Sequence, residues 1–179
     1  MKFVRPSFFV SMLSAGMVVF AVSTPHVWAD EPAASKPAAT TTAAKTEDPL
    51  DQIPEAQRAE VARLLQLHNF YRANAGRAPL KLNIKLCQAG TKFADYMSRT
   101  GSFGHYSDGR SPGDRIAAEG YAGATWAENI ANTSGDADSA VNMWVNSSGH
   151  YANMLGGCSE VGFGHVGGMW VTVFSVPAR

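Results

Sequence analysis

Two histidines and one glutamate are the residues of this chain whose types best suit chemistry. His105 lies in the run FGHYSDG, Glu128 in AENI, and His150 in NSSGHYAN. Two imidazoles and a carboxylate that face one cavity can hold a divalent metal or transfer a proton. Scattered over a surface, the same residues do neither. Any function built on them therefore requires that the fold bring them together.

Residues 1–29 have the pattern of a secretory signal peptide. Lys2 and Arg5 precede an apolar run over residues 8–22, and the run VWA before Asp30 fits a signal peptidase site. The alternative is an uncleaved membrane anchor, which is disfavoured because the run is shorter than the ~20 residues that a span needs. The sequence thus predicts a secreted or periplasmic protein with no stable membrane anchor after cleavage.

Residues 30–52 are predicted to form a disordered Pro/Ala/Thr tether. Residues 30–49 have no aliphatic or aromatic side chain larger than alanine and proline whose burial would offset the entropy of ordering. The folded unit is predicted to be a single domain over residues 53–179, since the remaining length suits one ordinary core.

The charge balance excludes two classes of partner. The chain has 15 Lys and Arg against 15 Asp and Glu, and without Lys2 and Arg5 of the signal peptide the balance is −2. No basic stripe is present to recruit nucleic acid, and no polybasic helix to recruit an anionic membrane.

Cys87 and Cys158 are the only cysteines of the chain. Two thiols in an exported protein commonly pair, so a disulfide between them is predicted. It would close a loop of about seventy residues and stabilise the fold by roughly 4 kcal/mol. The alternative is two buried cysteines that behave as small hydrophobic residues.

Hydrophobic periodicity and capping residues predict helices first and strands later, an α+β domain. The expected elements are a helix from Ile53 to about Asn74, a helix from Asn83 to Gly101, a short helix from Ser111 to Gly120, a strand over 127–131, a helix after Asp136, and a terminal hairpin that turns at Gly167-Gly168. His105 falls in a loop, and His150 falls in a turn just beyond a helix. Loops held by rigid elements are where functional residues concentrate.

Four motifs in this order resemble one family. They are HNFYR at 68–72, GHYSDGRSP at 104–112, AENI at 127–130, and Trp144 followed by SSGHYANM. The chain from about Ile53 onward resembles the bacterial form of the CAP superfamily, the cysteine-rich secretory protein, antigen 5 and pathogenesis-related 1 group. The resemblance implies a three-layer α-β-α sandwich with a cavity lined by His and Glu. It also implies Zn²⁺ as a cofactor, since the His pair is reported to bind zinc in several members.

The resemblance carries over residue by residue to three positions of the cavity. His105 matches the first family histidine, Glu128 the glutamate of the Glu-Asn-Ile motif, and His150 the second histidine, so His105 and His150 are the implied metal ligands. Ser147 stands where eukaryotic relatives have a second glutamate. Glu160 is therefore the candidate for the fourth cavity residue. Departures from the bacterial pattern at Ala127, Tyr151 and Met154 are expected to alter the rim.

Simpler interpretations of these residues stay open. Both histidines would serve equally as hydrogen-bonded residues at loop ends, and Glu128 would serve to orient an imidazole by accepting its N–H. His68 lies on an apolar helix face and is predicted to be a core residue. Nothing in the sequence indicates a hydrogen-bond or metal partner for His165.

Two functions follow from the candidate cavity. The favoured one is a secreted, non-enzymatic module that binds a metal and a small molecule, an envelope polysaccharide, a lipid or a protein. The alternative is a secreted hydrolase that acts on cell-envelope or peptide substrates. In it His105 or His150 acts as general base, Glu128 orients that histidine, and the attacking group is a zinc-bound water or a nearby serine, of which the candidates are Ser107, Ser147 and Ser148. No catalytic residue is assigned. A set of aromatic residues near the histidines, namely Phe103, Tyr106, Trp126 and Tyr151, would either line a ligand site for sugars or lipids or simply pack the loops.

Overall fold

The computed structural model describes residues 48–178. The predicted signal peptide and most of the predicted tether lie outside these residues. The helices are α1 (Glu55–Asn74), α2 (Ile84–Thr100), α3 (Pro112–Ala118), α4 (Ala137–Val145) and α5 (Ser148–Met154), and the strands are β1 (Lys81–Leu82), β2 (Gly123–Asn132), β3 (Glu160–Val166) and β4 (Met169–Pro177). No helix within residues 48–178 is long and apolar enough to cross a bilayer.

The strands form one four-stranded sheet in the order β1-β3-β4-β2. The short strand β1 is parallel to β3, while β3, β4 and β2 pair antiparallel. Strand β2 is therefore an edge strand, bonded to β4 on one side only. Its register places Glu128 opposite Val173 and Asn129 opposite Thr172.

Helices cover both faces of this sheet. Because side chains alternate along a strand, β4 sends Trp170 and Phe174 to one face and Val171 and Val173 to the other. The first pair packs in a core cluster with residues of α1, α4 and α5, and the second pair packs with residues of α2 and α3. The fold is of the α+β class that the order of elements predicted, and it is the three-layer α-β-α sandwich that the family resemblance implied.

Two glycines of β3 let α2 lie directly on the sheet. A Cβ on Gly162 would fall 2.2 Å from the backbone of Cys87, and a Cβ on Gly164 would fall 2.2 Å from the backbone of Gly90. Real side chains cannot occupy that space. The alternation of Val161 and Phe163 with glycines therefore gives β3 one bulky face and one flat face.

Several element predictions were confirmed by the structure. Asn83 caps α2 through bonds from the backbone N–H groups of Lys85 and Leu86, and Gly101 ends it in the left-handed conformation. Ser111 and Asp114 form a reciprocal capping box at the start of α3. The hairpin turns at two glycines with φ of +55° and +82°, as a tight turn between β3 and β4 requires.

Three local predictions differed from the structure. Residues Pro49–Gln52, predicted as the end of the tether, form a short 3-10 helix whose first turn is capped by Asp48. Leu50 of this turn packs against the core, which explains why it is ordered. The SSGH run at 147–150 was predicted as a turn, but α5 begins there and His150 lies inside it. Strand β1 was not predicted, because two residues carry no periodicity.

The predicted disulfide was wrong, because Cys87 and Cys158 are both free and buried. The Cys87 thiol lies at the middle of β3, where it accepts a hydrogen bond from the Phe163 N–H at 3.4 Å. Cys158 precedes the start of β3, and five residues of extended chain span about 16 Å, far beyond the ~7 Å between Cα atoms that a disulfide bridges. Burial raises the pKa of Cys87 to about 11, so this thiol behaves as a small hydrophobic residue.

Candidate functional site

His105 and Glu128 meet in the structure. The His105 Nδ1–H donates a hydrogen bond of 2.9 Å to Glu128 Oε1. A carboxylate can only accept, so this contact fixes the proton on Nδ1 and leaves Nε2 of the neutral ring as an acceptor. The His105 side chain is 40% exposed whereas that of Glu128 is 1% exposed. Glu128 therefore orients an imidazole that solvent and ligands can reach.

Arg115 holds this pair in place. Its guanidinium donates to Glu128 Oε2 at 2.7 Å and to Asp108 Oδ1 at 2.9 Å, and all three side chains are almost fully buried. It also donates to the backbone carbonyls of His105 and Arg110, both at 3.0 Å. One cation thus compensates two buried carboxylates and fastens the loop that carries His105.

The position of Arg115 follows from local structure. The capping box at Ser111 starts α3, so that Arg115 lies one turn later on the face that contacts the sheet. Its guanidinium carbon lies 3.5 Å from the centre of the Phe93 ring on α2, which adds a cation–π contact to the ion pairs. Glu128 shares the face of β2 that carries Ile130, and it meets Arg115 there because this face packs against α2 and α3.

His150 approaches from the other face of β2. The backbone carbonyl of His150 accepts a bond of 3.0 Å from Asn129, the neighbour of Glu128 whose side chain lies on the opposite side of the strand. Burial lowers the pKa of His150 below its ordinary value, and the nearby charge of His105 lowers it further. The two histidines thus belong to different layers, on the two sides of β2.

Asn153 joins helix α5 to the edge strand. Its side-chain amide donates to Asn129 Oδ1 at 2.9 Å and to the backbone carbonyl of Glu128 at 3.3 Å. The second bond occupies an edge carbonyl that would otherwise have no partner in the sheet. This pair of asparagines sets the position of α5, and with it the position of His150.

The cleft is the cavity along this part of β2, with a volume of about 290 Å³. Its lining residues are His105, Tyr106, Pro112, Trp126, Ala127, Glu128 and Asn153. His150 is not among them, so it lies beside the cleft. Tyr106 and Trp126 are exposed at the rim, at 63% and 41%. The arrangement offers an accessible imidazole, an amide and two aromatic faces to a ligand.

Glu160, predicted to complete the cavity, lies elsewhere. Its carboxylate accepts hydrogen bonds from Tyr121 at 2.7 Å and Asn83 at 3.0 Å, and it lines a different pocket near Lys85 and Pro177. The physical reason is strand order, since β3 is separated from β2 by the whole of β4. The closeness of Glu160 to His150 in the sequence did not reveal that β4 separates β3 from β2.

The two remaining histidines of the domain have structural roles. His68 is fully buried among Trp144, Phe163 and Phe174, and its Nδ1–H donates to the Leu64 carbonyl at 2.7 Å. Burial lowers the pKa of His68 to about 4. His165 stacks on Trp170 and bonds Glu60 at 2.9 Å, a partner that the sequence did not reveal.

No activated serine accompanies the histidines within residues 48–178. Ser107 Oγ is buried and has no hydrogen-bond partner, and no bond joins Ser147 or Ser148 to either imidazole. A serine nucleophile needs a base within hydrogen-bond reach. The arrangement lacks the geometry of a Ser/His/Glu hydrolase.

The donors at the cleft also fall short of a zinc site. Zinc sites commonly use three or four protein ligands. Within the described part of the chain, no group of three His, Cys, Asp or Glu side chains is arranged to hold a metal ion. Both carboxylate oxygens of Glu128 are already bonded, to His105 and Arg115, which leaves two imidazoles. These residues do not fit a resident zinc ion.

Sequence reasoning missed Arg115, Asp108 and the two asparagines as members of the site. One signal was present: Glu128 shares a strand face with the apolar Ile130, and a carboxylate on a buried face needs a cationic partner. The identity of that cation depends on the packing of α3, which no sequence spacing indicates.

Comparison with known proteins identifies the family. The model of the CAP family, the cysteine-rich secretory protein family, matches residues 65–173. This is well over half of the chain, so the chain belongs to the CAP family. It is 31% identical over 150 residues to the uncharacterized protein YkwD of Bacillus subtilis, covering 82% of this chain and 57% of YkwD. The chain thus spans less than two thirds of the length of that relative.

Solved structures agree on the fold. An extracellular protein containing a SCP domain from Bacillus anthracis has a TM-score of 0.64 at 22% identity, covering 66% of this chain and 40% of that one. An outer surface protein of Borrelia burgdorferi has a TM-score of 0.63 at 16% identity, covering 68% and 96%. A cysteine-rich secretory protein of Staphylococcus aureus has a TM-score of 0.57 at 20% identity, covering 68% and 40%.

Proposed function

We propose that this chain is an extracytoplasmic binding module whose cleft receives a polymer of the cell envelope. The observation that carries the proposal is the His105–Glu128–Arg115 chain of hydrogen bonds, which fixes an accessible imidazole at the cleft. Such an imidazole is a preorganised hydrogen-bonding group, and a fixed group loses less entropy on binding than a mobile one.

The proposed location rests on the sequence and on relatives. Residues 1–29 have the pattern of a signal peptide, and the similar proteins of Bacillus anthracis and Borrelia burgdorferi are described as extracellular and outer-surface proteins. A polymer of the envelope is the ligand that such a location supplies in abundance. Lipid and protein ligands have less support, since the cleft presents polar groups beside its aromatic rim.

The hydrolase alternative is the weaker candidate. A histidine with its Nδ1 on a carboxylate resembles the base of a catalytic triad, but a base needs a nucleophile to activate. Neither a bonded serine nor a set of three metal ligands accompanies it within residues 48–178. The favoured role for His105 is therefore to accept a hydrogen bond from a ligand at Nε2.

Co-sedimentation with purified, insoluble peptidoglycan tests the proposal. The wild-type chain is expected to sediment with the wall, and His105→Ala is expected to bind about tenfold more weakly, the effect of losing about 1.4 kcal/mol of hydrogen bonding. His165→Ala is the matched control, because it removes a histidine from the hairpin and leaves the cleft intact. Equal sedimentation of the wild type and His105→Ala, or no sedimentation of either, would contradict the proposal.

We separately predict that His105 and His150 bind zinc only with low affinity, because the carboxylate of Glu128 is already bonded. Two imidazoles without a free carboxylate are expected to bind zinc with a dissociation constant of about 10 μM or weaker in titration calorimetry. The heat is expected to disappear in His105→Ala and His150→Ala and to persist in His165→Ala. Nanomolar binding by the wild type would mean that Glu128 leaves Arg115 to become a ligand, contrary to the ion pair described above.

A further inference from the structure

The cleft carries two exposed aromatic side chains that the hydrogen-bond network does not use. Tyr106 is 63% exposed and Trp126 is 41% exposed, and both line the cleft. Two other tryptophans of the described residues, Trp144 and Trp170, are only 1% exposed. An indole left open to water beside polar groups presents a flat apolar face with a polar edge, the kind of surface that binds amphipathic ligands.

Gly113 holds Trp126 in position. A Cβ on Gly113 would lie 2.5 Å from Nε1 of Trp126 and 3.0 Å from its Cδ1, so the indole edge lies directly on the backbone of α3. The φ of Gly113 is not in the left-handed region, and its helical conformation is open to any residue. The absence of a side chain at this position is therefore required by Trp126 and not by the backbone.

The anchoring extends to the strand that carries the tryptophan. Trp126 pairs with Ser175 of β4 in the sheet, so its backbone is fixed on one side and its ring on the other. A ring held before the ligand arrives loses little entropy on binding. We call Tyr106 and Trp126 the aromatic wall of the cleft.

The charged side chains around the aromatic wall are already paired with one another. Arg115 donates to Glu128 and Asp108, and Arg110 also pairs with Asp108. What remains for a ligand is His105 Nε2 and the side-chain oxygen Oδ1 of Asn153, two acceptors that pair with hydroxyl and amide donors. An anionic ligand such as a nucleic acid or a polyphosphate finds no uncompensated cation among the lining residues.

We propose that the cleft binds a β-linked hexopyranose glycan, with one sugar ring stacked on the aromatic wall. Equatorial substituents leave the two faces of such a ring flat and rich in C–H groups, which suits an indole, while the hydroxyls at its edge reach His105. A volume of about 290 Å³ is at the small end of ligand sites, which suits a short stretch of glycan. This proposal rests on the proposed function and names the part of the envelope polymer that is recognised.

Calorimetry with soluble oligosaccharides tests the proposal. The full chain is titrated with the tetramer of β-1,4-linked N-acetylglucosamine and with the tetramer of β-1,4-linked glucose. We expect Trp126→Ala to weaken binding about tenfold or more and Trp126→Phe to lie between it and the wild type, because phenylalanine keeps a smaller stacking face. Phe70→Ala is the matched control: it removes an aromatic ring that is 57% exposed on α1, away from the cleft lining, and is expected to bind as the wild type does.

The outcomes separate this inference from the function on which it rests. Undiminished binding by Trp126→Ala would overturn the stacking role. A wild type that sediments with peptidoglycan but binds neither oligosaccharide would overturn the glycan inference and leave the proposed function standing. A wild type that does neither would overturn both.

Discussion

Replacement of Arg115 by methionine is expected to lower the free energy of unfolding by about 3–5 kcal/mol. The change leaves the Glu128 carboxylate, whose side chain is 1% exposed, without a cation, and leaves Asp108, which is 4% exposed, with only the exposed Arg110 as its partner. Burial of an uncompensated charge costs far more than the loss of an exposed ion pair. Urea unfolding of the wild type and of Arg115→Met at neutral pH measures the difference.

Arg110 provides the control within the same cluster. It also pairs with Asp108, at 3.1 Å, but its side chain is 53% exposed. Arg110→Ala is therefore expected to cost less than about 1 kcal/mol. If the two variants lost similar amounts of unfolding free energy, burial of the ion pair would not determine how much each arginine stabilises the fold. The expected contrast would establish Arg115 as the residue that holds the His105 loop and Glu128 together.

The second large effect expected is a loss of stability on acidification that depends on His68. In the folded chain burial lowers the pKa of His68 from 6.5 to about 4. Between these values the unfolded chain binds a proton that the folded chain does not, so stability falls as pH drops through this window and is unaffected above it. The loss approaches about 3 kcal/mol at pH 4, from 1.36 kcal/mol per pKa unit.

His68→Phe isolates this contribution. Phenylalanine fits the aromatic surroundings of His68 and removes the Nε2 atom, which is buried without a partner among the described residues. The variant is expected to lose less stability than the wild type between pH 6.5 and 4, by about 3 kcal/mol. Urea unfolding at intervals over this range measures it, and parallel curves for the two proteins would contradict the assignment.

Other groups titrate in both the wild type and His68→Phe, so their contributions to the pH dependence of stability cancel when the two proteins are compared. The pKa of His150 is also lowered, by burial first, so it adds a loss of the same sign. Hydrogen bonds from Ser111 and Ser139 lower the pKa values of Asp114 and Asp136, so the stability that these carboxylates contribute is lost only as pH falls below the His68 window.

Local signals predicted most of the fold. Asn83 and Ser111 mark helix starts because their side chains accept hydrogen bonds from free backbone N–H groups of the first turn. Each cap and the N–H group that it binds lie within three residues of one another, so the sequence alone indicates the helix start. The glycine pair at 167–168 indicates the hairpin for an equally local reason. The tight turn requires positive φ values at both positions, and glycine adopts them without steric cost. The SSGH run was predicted as a turn but begins α5, because small polar residues are as common at the start of a helix as they are in a turn.

The candidate site was predicted less completely, because its partners are distant in the chain. His105 and Glu128 were named from motifs and meet in the structure, whereas Arg115 was not named although it bonds both. Glu160 was named because it follows His150 closely, but strand order separates them. The spacing of residues along the chain predicts turns and helices well, but it predicts the pairing of strands poorly.

The position of the cleft at the sheet edge has a mechanical consequence. His105 is fastened through Arg115 to the layer of α2 and α3, while His150 belongs to α5 in the opposite layer, and only β2 lies between them. A ligand that extends from the cleft to His150 beside it would join the two outer layers around the rim of the sheet. Its occupancy would slow the separation of those layers, so that amide hydrogen exchange would fall in α3 and α5 together, far beyond the residues in contact.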